Sequence, residues 1–295
     1  RAPARLALRS HRAGRQHPGT AAVAWRQPDA LRIDGLRYAY GETVAVDGVD
    51  LAVRPGEVYG LLGSNGAGKT TTIQAVTTLL KVPAGTVEVF GVDAALHKMA
   101  VRRLIGYVPQ QLSADGALTG RENVALFARL FDVPRRVRRA RTDEAIESMG
   151  LSAVANRTAS TYSGGMVRRL ELAQALVSSP RLLILDEPTI GLDPVARASV
   201  WQRIAAVRAE TGMAVLVTTH YMDEAEQHCD RVALMHRGRI RAEGTPAALV
   251  ASLGRVGQRL DDVFRVYTSL YAGPGRDEGG FRDVRVARAT AQRVG

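Results

Sequence analysis

A glycine-rich loop between an apolar strand and a helix is the feature that most constrains the fold. The loop GSNGAGKT (63–70) follows VYGLL and runs into TTTIQAVTTLL, which favours a helix. It matches the pattern G-x-x-x-x-G-K-[ST]. Glycines let backbone N–H groups converge on an anion at a helix N-terminus, where the helix dipole also favours negative charge. A glycine turn without a ligand is the alternative, but the strand and the helix around the loop favour a polyphosphate site.

Short apolar runs along the chain predict a parallel sheet. Residues 58–62, 182–185, 214–218 and 231–235 are each strand-sized, and helical stretches separate them. This alternation is typical of parallel strands whose two faces are covered by helices. We therefore expect an α/β fold with a P-loop NTPase core.

The segment before the loop differs from this core. Apolar residues alternate in 31–38 and 44–53, which predicts two antiparallel strands. Each run contains an Asp-Gly pair, at 34–35 and 47–48, where we expect turns. An N-terminal antiparallel β subdomain is therefore predicted.

The stretch from 111 to 178 lacks strand-like runs and predicts an inserted α-helical subdomain. The pattern Thr-x-x-Glu beginning at Thr119 is a capping box, and we expect a helix from there through Phe131. Around it the expected division of the chain is a basic disordered tail at 1–30, a main domain with the phosphate loop at 31–250, a short C-terminal segment at 251–272 and a flexible tail at 273–295.

Charge and composition limit the function classes. The chain of 295 residues has a formal net charge of +11, and six arginines fall within residues 1–28, where the tail could contact nucleic acid or a membrane surface. No run reaches the roughly 18 apolar residues that span a bilayer. Because no signal-peptide core is present and Cys229 has no partner for a disulfide, we expect a cytoplasmic protein.

Two adjacent carboxylates end the run RLLILDEP. Asp186 lies where a buried strand ends at the carboxyl edge of the sheet, so it can hold Mg²⁺ through water. Glu187 follows, and close to a terminal phosphate it could orient and polarise an attacking water. Lys69 would contact the β and γ phosphates, and Thr70 would offer its hydroxyl to Mg²⁺.

A second helix start suited to anions lies in the helical insert. In TYSGGMVRRLELA, Ser163 can cap a helix running to about Ser178, and Gly164 and Gly165 add backbone donors. The spacing places this helix far from the chain's own phosphate loop.

The phosphate loop, the acidic strand end and the Ser-Gly-Gly helix, in this order, resemble the nucleotide-binding subunits of ABC transporters across about residues 31–270. The resemblance implies ATP and Mg²⁺ as cofactors. It implies that Tyr40, or alternatively Tyr38, stacks on adenine, and that Gln110, or its neighbour Gln111, reaches Mg²⁺ from the loop that enters the helical insert.

Other positions also match the family. His220 in TTHYMDEAE resembles the switch histidine that contacts the γ phosphate, and Asp193 in GLDP resembles a residue that acts across a dimer. Within the family, the segment around SGGM and the late LDDVFRVYTS look most like the ATPases of ABC-2 type exporters of the daunorubicin-resistance-like group. Met166 departs from the glutamine that many ABC proteins have there.

The resemblance implies an ATP-hydrolysing subunit that powers a membrane exporter as an ATP-sandwich homodimer. It would sit on the cytoplasmic face of the cell membrane, bound to a separate multi-spanning permease, with no nucleic acid expected. The alternative is a soluble ABC-type ATPase acting on DNA or ribosomes, which only the basic charge supports. The compact insert, with 53 residues from Gln110 to Ser163, counts against it.

The candidate site residues comprise three groups. They are, for catalysis, Glu187, His220, Gln110 and Lys69; for nucleotide binding, Tyr40, Gly63, Ser64, Asn65, Gly66, Ala67, Gly68, Lys69, Thr70, Thr71, Ser163, Gly164, Gly165 and Asp193; and for Mg²⁺, Thr70, Gln110 and Asp186.

Overall fold

The computed structural model describes residues 28–254 and 257–270, and its strands form two sheets. The strands in these ranges are β1 (Leu31–Tyr40), β2 (Thr43–Val53), β3 (Val58–Leu62), β4 (Val87–Val89), β5 (Val92–Asp93), β6 (Ile105–Val108), β7 (Leu182–Asp186), β8 (Ala214–Thr219), β9 (Arg231–His236) and β10 (Arg239–Gly244). The larger sheet has the order β10-β9-β3-β8-β7-β6, and the smaller one has the order β2-β1-β4-β5.

Helices connect and cover the strands. They are α1 (Lys69–Val76), α2 (Lys98–Leu104), α3 (Gly120–Leu130), α4 (Arg138–Ser148), α5 (Gly164–Leu176), α6 (Pro194–Thr211), α7 (Met222–His228), α8 (Pro246–Ala251) and α9 (Leu260–Leu270). Among the residues that the structure describes, no helix combines the length and the apolar character needed to cross a bilayer.

The larger sheet is parallel apart from the β9–β10 hairpin. Strands β3, β7 and β8 are buried along their whole length because both faces of the sheet are covered. Successive side chains alternate between two hydrophobic clusters: Val58 and Leu62 belong to one, and Tyr59 and Leu61 to the other. The first cluster includes residues of α3 to α6, and the second includes residues of β1, β2 and α1.

The predicted turns at the two Asp-Gly pairs are wrong. The chain turns at 41–42, and both pairs lie inside long strands at breaks in the β1–β2 register. Gly35 and Gly48 have φ values of 58° and 74°. An Asp-Gly pair supplies positive φ equally well to a tight turn and to a β-bulge, so the local sequence does not separate the two.

Apart from an isolated β-bridge between Thr119 and Thr158, the elements described between β6 and β7 are helices, two of them short 3-10 helices. Thr119 caps α3 through a capping box with Glu122, as the sequence predicts. Helix α5 packs against α3, α4 and the edge strand β6, which joins this helical layer to the sheet. Strand β6 is not among the predicted strands, since its four residues follow α2 without a turn signal.

The ends of the predicted domains need one correction. Ala30 falls in the predicted basic tail but is fully buried, and its N–H donates to the carbonyl oxygen of Val53 at 2.8 Å. The ordered fold therefore includes Ala30. The rest of that predicted tail up to residue 27 and the predicted tail at 273–295 lie outside the described residues. Within the predicted C-terminal segment, α9 packs on α7 and α8.

Candidate active site

The phosphate loop joins β3 to α1, and its backbone favours glycine at Gly63, Gly66 and Gly68. Gly68 caps α1 with φ of 107°, and a Cβ there would lie 2.5 Å from the carbonyl oxygen of Ala45. A Cβ on Gly63 would lie 2.5 Å from the carbonyl oxygen of Met235. Neighbouring backbone at Gly63 and Gly68, together with positive φ at Gly66 and Gly68, therefore disfavours a side chain at these three positions of the loop.

A cavity of about 330 Å³ opens over this loop. It brings together four regions of the chain: strand β2, the phosphate loop with the start of α1, Gln110 shortly after β6, and Glu187 directly after β7. The lining residues are Ala45, Asn65, Gly66, Ala67, Gly68, Lys69, Thr70, Thr71, Gln110 and Glu187. Gln110 and not its neighbour Gln111 belongs to this lining, which favours the first of the two candidate glutamines.

Lys69 is nearly buried and holds the loop from inside. Its Nζ donates to the carbonyl oxygens of Gly63 at 2.8 Å and Ser64 at 3.3 Å. It also lies 3.3 Å from Oε1 of Glu187. The ammonium group is thereby fixed at the base of the cavity, opposite a carboxylate that balances its charge.

The carboxylate of Glu187 lies between the ammonium group of Lys69 and the ring of His220. His220 Nδ1 lies 3.1 Å from its Oε2, and this hydrogen bond, with the charge of Lys69, lowers the pKa of Glu187. The carboxylate is thus ionised at neutral pH. Its backbone has φ of 48°, a strained conformation for a residue with a side chain. The residue's N–H is fixed by the hydroxyl of Thr218 at 3.0 Å.

Asp186 is buried beside Glu187 but has a different environment. Thr218 Oγ1 donates to its Oδ1 at 2.5 Å, and the hydroxyl of Thr70 also interacts with the carboxylate. Burial raises the pKa of Asp186. Thr218 is not among the predicted site residues, although it lies opposite Asp186 in the register of β7 and β8 and directly precedes Thr219-His220.

The oxygen atoms of Asp186 and Thr70 suit Mg²⁺, which prefers oxygen ligands and keeps several waters. Among the described residues no group of three or more His, Cys, Asp or Glu side chains could hold a metal ion. Mg²⁺ is usually bound by one or two carboxylates together with substrate phosphates. The residues present therefore fit a metal that arrives with a nucleotide.

Tyr40 lies apart from the cavity lining. Its ring is half-exposed, and its hydroxyl donates to Oε1 of Gln74 at 3.1 Å. Tyr38 meets it edge-on with ring centroids 5.1 Å apart and packs against the hydrophobic cluster. Tyr40 is consequently the better placed of the two rings for stacking on a base.

The remaining predicted residues start two helices at the surface. Ser163 Oγ accepts from the N–H of Met166 at 3.3 Å and caps α5, and Asp193 Oδ1 accepts from two N–H groups at 2.9 Å and caps α6. Ser163, Gly164 and Asp193 are exposed and do not line the chain's own cavity. The helix starts are adjacent, because a Cβ on Gly165 would lie 2.8 Å from that of Ala196.

Comparison with known proteins identifies the family of this chain. A family model described as ABC transporter matches residues 46–190. The daunorubicin resistance ATP-binding protein DrrA3 of Streptomyces coeruleorubidus is 45% identical over 236 residues, which cover 80% of this chain and 74% of that protein. The chain belongs to the ABC transporter family. The Nod factor export ATP-binding protein I of Paraburkholderia xenovorans is 43% identical over 223 residues, covering 76% and 73%.

Solved structures agree with this assignment. An ATP-binding subunit of an ABC transporter matches with a TM-score of 0.72 and 28% identity, covering 81% of this chain and 99% of the other. A dimeric ATP-binding cassette in a post-hydrolysis state with ADP and Pi matches with a TM-score of 0.64 and 27% identity, covering 73% and 98%. The predicted P-loop NTPase fold and the likeness to daunorubicin-resistance ATPases are confirmed, and the chain is an ATP-binding ABC ATPase.

Proposed function

We propose that this ABC ATPase powers a membrane exporter of the drug, lipid or polysaccharide type through a separate multi-spanning permease. The observation that carries the proposal is one cavity in which the phosphate loop, Gln110 and an ionised Glu187 held by His220 come together. Relatives named for drug resistance and Nod factor export support the direction of transport.

The residues around the cavity can bind and position a triphosphate. The loop amides and Lys69 would take the β and γ phosphates, and the half-exposed ring of Tyr40 would stack on adenine. Thr70 and Asp186, with Gln110, would hold Mg²⁺. When bound, the metal would neutralise charge on the phosphate oxygens.

Glu187 has the contacts expected of the group that activates water. A γ phosphate would compete with Glu187 for Lys69, which now lies 3.3 Å from Oε1. Oε1 would then be free to accept a proton from the attacking water, while His220 retains Oε2. His220 thus orients the carboxylate and limits its motion during the reaction.

A second copy of the chain would complete the site. Ser163, Gly164 and Asp193 lie at the surface outside the chain's own cavity, yet the start of α5, where Gly164 and Gly165 present backbone N–H groups, suits a phosphate. A two-fold dimer would bring these residues of one protomer onto the nucleotide of the other. The dimeric form of a solved relative supports this arrangement.

Closure of such a dimer would move the helical layer, and the loop after Gln110 would carry that motion to the permease. Leu112 in this loop is 62% exposed, which leaves an apolar side chain available for a membrane partner. Substrate contacts would then belong to the permease.

Glu187→Gln tests the assignment of the base. The variant keeps the size and one acceptor of the side chain, so ATP binding should persist while turnover falls by about 10²–10⁴-fold. An ATP-bound dimer should accumulate in gel filtration. A monomer that hydrolyses ATP at the wild-type rate would refute the assignment.

Mixed dimers test the shared site. Ser163→Arg in one subunit should disable the nucleotide site of its partner, so a mixture with Lys69→Ala subunits should contain heterodimers with one intact site. If each site in such mixtures depends on its own phosphate loop alone, the dimer mechanism is wrong.

Purification from membranes compares the two functions: a co-purified multi-spanning protein supports export, and salt-sensitive binding to nucleic acid supports the alternative.

A further inference from the structure

Helix α5 buries an ion pair one turn after its exposed start. Arg168 and Glu171 are each 2% exposed, and Nη1 of Arg168 donates to Oε2 of Glu171 at 2.9 Å. Removing two charges from water is costly, and it is tolerated when hydrogen bonds satisfy the remaining polar atoms. The partners that satisfy this pair are therefore informative.

The other hydrogen bonds of the pair go to the loop of residues 109–114. Arg168 donates to the carbonyl oxygens of Pro109 at 2.8 Å and Gln110 at 3.2 Å. Glu171 Oε1 accepts from the backbone N–H of Ser113, and also from its hydroxyl at 3.2 Å. One ion pair thereby forms hydrogen bonds with both the beginning of the loop, at Pro109 and Gln110, and its later part, at Ser113.

This contact joins two parts of the proposed mechanism. The side chain of Gln110 lines the chain's own nucleotide cavity, and the N-terminus of the same α5 helix carries Ser163 at the surface. The helix is continuous from Gly164 to Leu176, so a displacement of its start is transmitted to Arg168. The backbone of Gln110 must then follow.

We propose that Arg168 and Glu171 are positioning residues that make the placement of Gln110 in one nucleotide site depend on what the start of α5 contacts in the other. This inference rests on the two-copy site proposed above. Contact between α5 and the nucleotide of the second copy would be communicated to Gln110 through the ion pair, and the two sites of the dimer would work cooperatively.

The double variant Arg168→Met with Glu171→Met tests the link. It removes both charges at similar volume and leaves no unpaired buried charge, so the fold should persist. The matched control is Arg121→Met with Asp143→Asn, which breaks an ion pair between α3 and α4 that does not touch the loop. Full-length protein is assayed for ATP affinity, kcat, the Hill coefficient for ATP, and hydrogen exchange at Ser113.

The double variant should bind ATP as the wild type does. Its Hill coefficient should fall to about 1, kcat should drop by about tenfold or more because Gln110 is misplaced, and the Ser113 amide should exchange faster. The control variant should match the wild type in all four measurements: ATP affinity, kcat, Hill coefficient and hydrogen exchange at Ser113. Arg168→Lys keeps the charge but loses the planar fork that reaches two carbonyl groups, and it should lower the Hill coefficient in the same direction.

Several results would overturn the inference. If the double variant keeps the wild-type kcat and Hill coefficient, the pair only stabilises the loop. If the double variant does not fold, the same result with Arg168→Lys leads to the same conclusion. A wild-type Hill coefficient of about 1 would show that there is no cooperativity to transmit. Wild-type protein that neither dimerises with ATP nor hydrolyses it would refute the proposed function itself, and the inference with it.

Discussion

Replacement of Gly165 by alanine should separate two reasons for a glycine at this position. The sequence suggests a backbone donor for phosphate, which alanine also provides. The structure adds a packing reason, because a Cβ on Gly165 would lie 2.8 Å from the Cβ of Ala196 in α6. The preceding Gly164 is a matched control, since the nearest atom to its Cβ would be Cδ2 of Leu192 at 3.8 Å.

The size of the effect follows from these distances. Carbon atoms prefer separations of about 3.5–4.0 Å, so Gly165→Ala must push α5 and α6 apart by roughly 0.7 Å or more. Overpacking of this kind costs about 1–3 kcal/mol. Both glycines lie in the first turn of α5, so alanine should bring each a similar gain in helix propensity, at most about 1 kcal/mol. Gly165→Ala should therefore be less stable than Gly164→Ala by about 1–3 kcal/mol.

Urea unfolding of five proteins measures the predicted contact: wild type, Gly164→Ala, Gly165→Ala, Ala196→Gly and the double variant of Gly165→Ala with Ala196→Gly. Ala196→Gly should destabilise the wild type but restore the Gly165→Ala background, with a coupling of about 1 kcal/mol or more. ATPase activity should fall in Gly165→Ala and recover in the double variant, because the N–H donor is present in both. Equal stability of the two single glycine variants, or an Ala196→Gly effect that is the same in both backgrounds, would refute the packing argument.

Three further predictions concern other parts of the fold. Burial raises the pKa of Cys229 to about 12, so iodoacetamide at pH 8 should label it only after unfolding; equal labelling of native protein by mass spectrometry would contradict this. Asp93 accepts three backbone N–H groups, which lower its pKa. Its stabilisation is present above its ordinary pKa of 3.8 and is lost as pH falls through the lower folded value, so the difference in urea midpoint between wild type and Asp93→Asn should shrink below that pH. Thr119→Ala should cost about 1 kcal/mol through the lost cap of α3, measured by urea unfolding, whereas Thr119→Ser should retain most of the stability.

The parts of the fold that could be predicted have local determinants. The phosphate loop depends on glycine spacing between a strand and a helix, and the capping box at Thr119 depends on residues three apart. The meeting of Lys69, Gln110 and Glu187 follows from sheet topology, because the carboxyl ends of parallel strands share one edge. The roles of these residues in catalysis stay predictions.

The parts that were missed depend on contacts between distant residues. Arg168 and the backbone of Gln110 are 58 residues apart, and in the sequence Arg168 is one charged residue on an ordinary helix. The Asp-Gly pairs were misread because whether such a pair makes a turn or a bulge depends on the partner strand. A local pattern states which conformation a residue tolerates, and packing decides where that conformation is used.

Packing in the fold gives Asp186 and Glu187 different environments at the site. In sequence they are adjacent carboxylates, and their order alone predicts that Asp186 holds Mg²⁺ and that Glu187 acts on the water. In the fold, burial raises the pKa of Asp186, while His220 and Lys69 lower that of Glu187. Paired groups with pKa values displaced in opposite directions have different chemical roles. Glu187 lines the cavity and is oriented by a second side chain, His220, and these two observations support its proposed role as the group that accepts a proton from water.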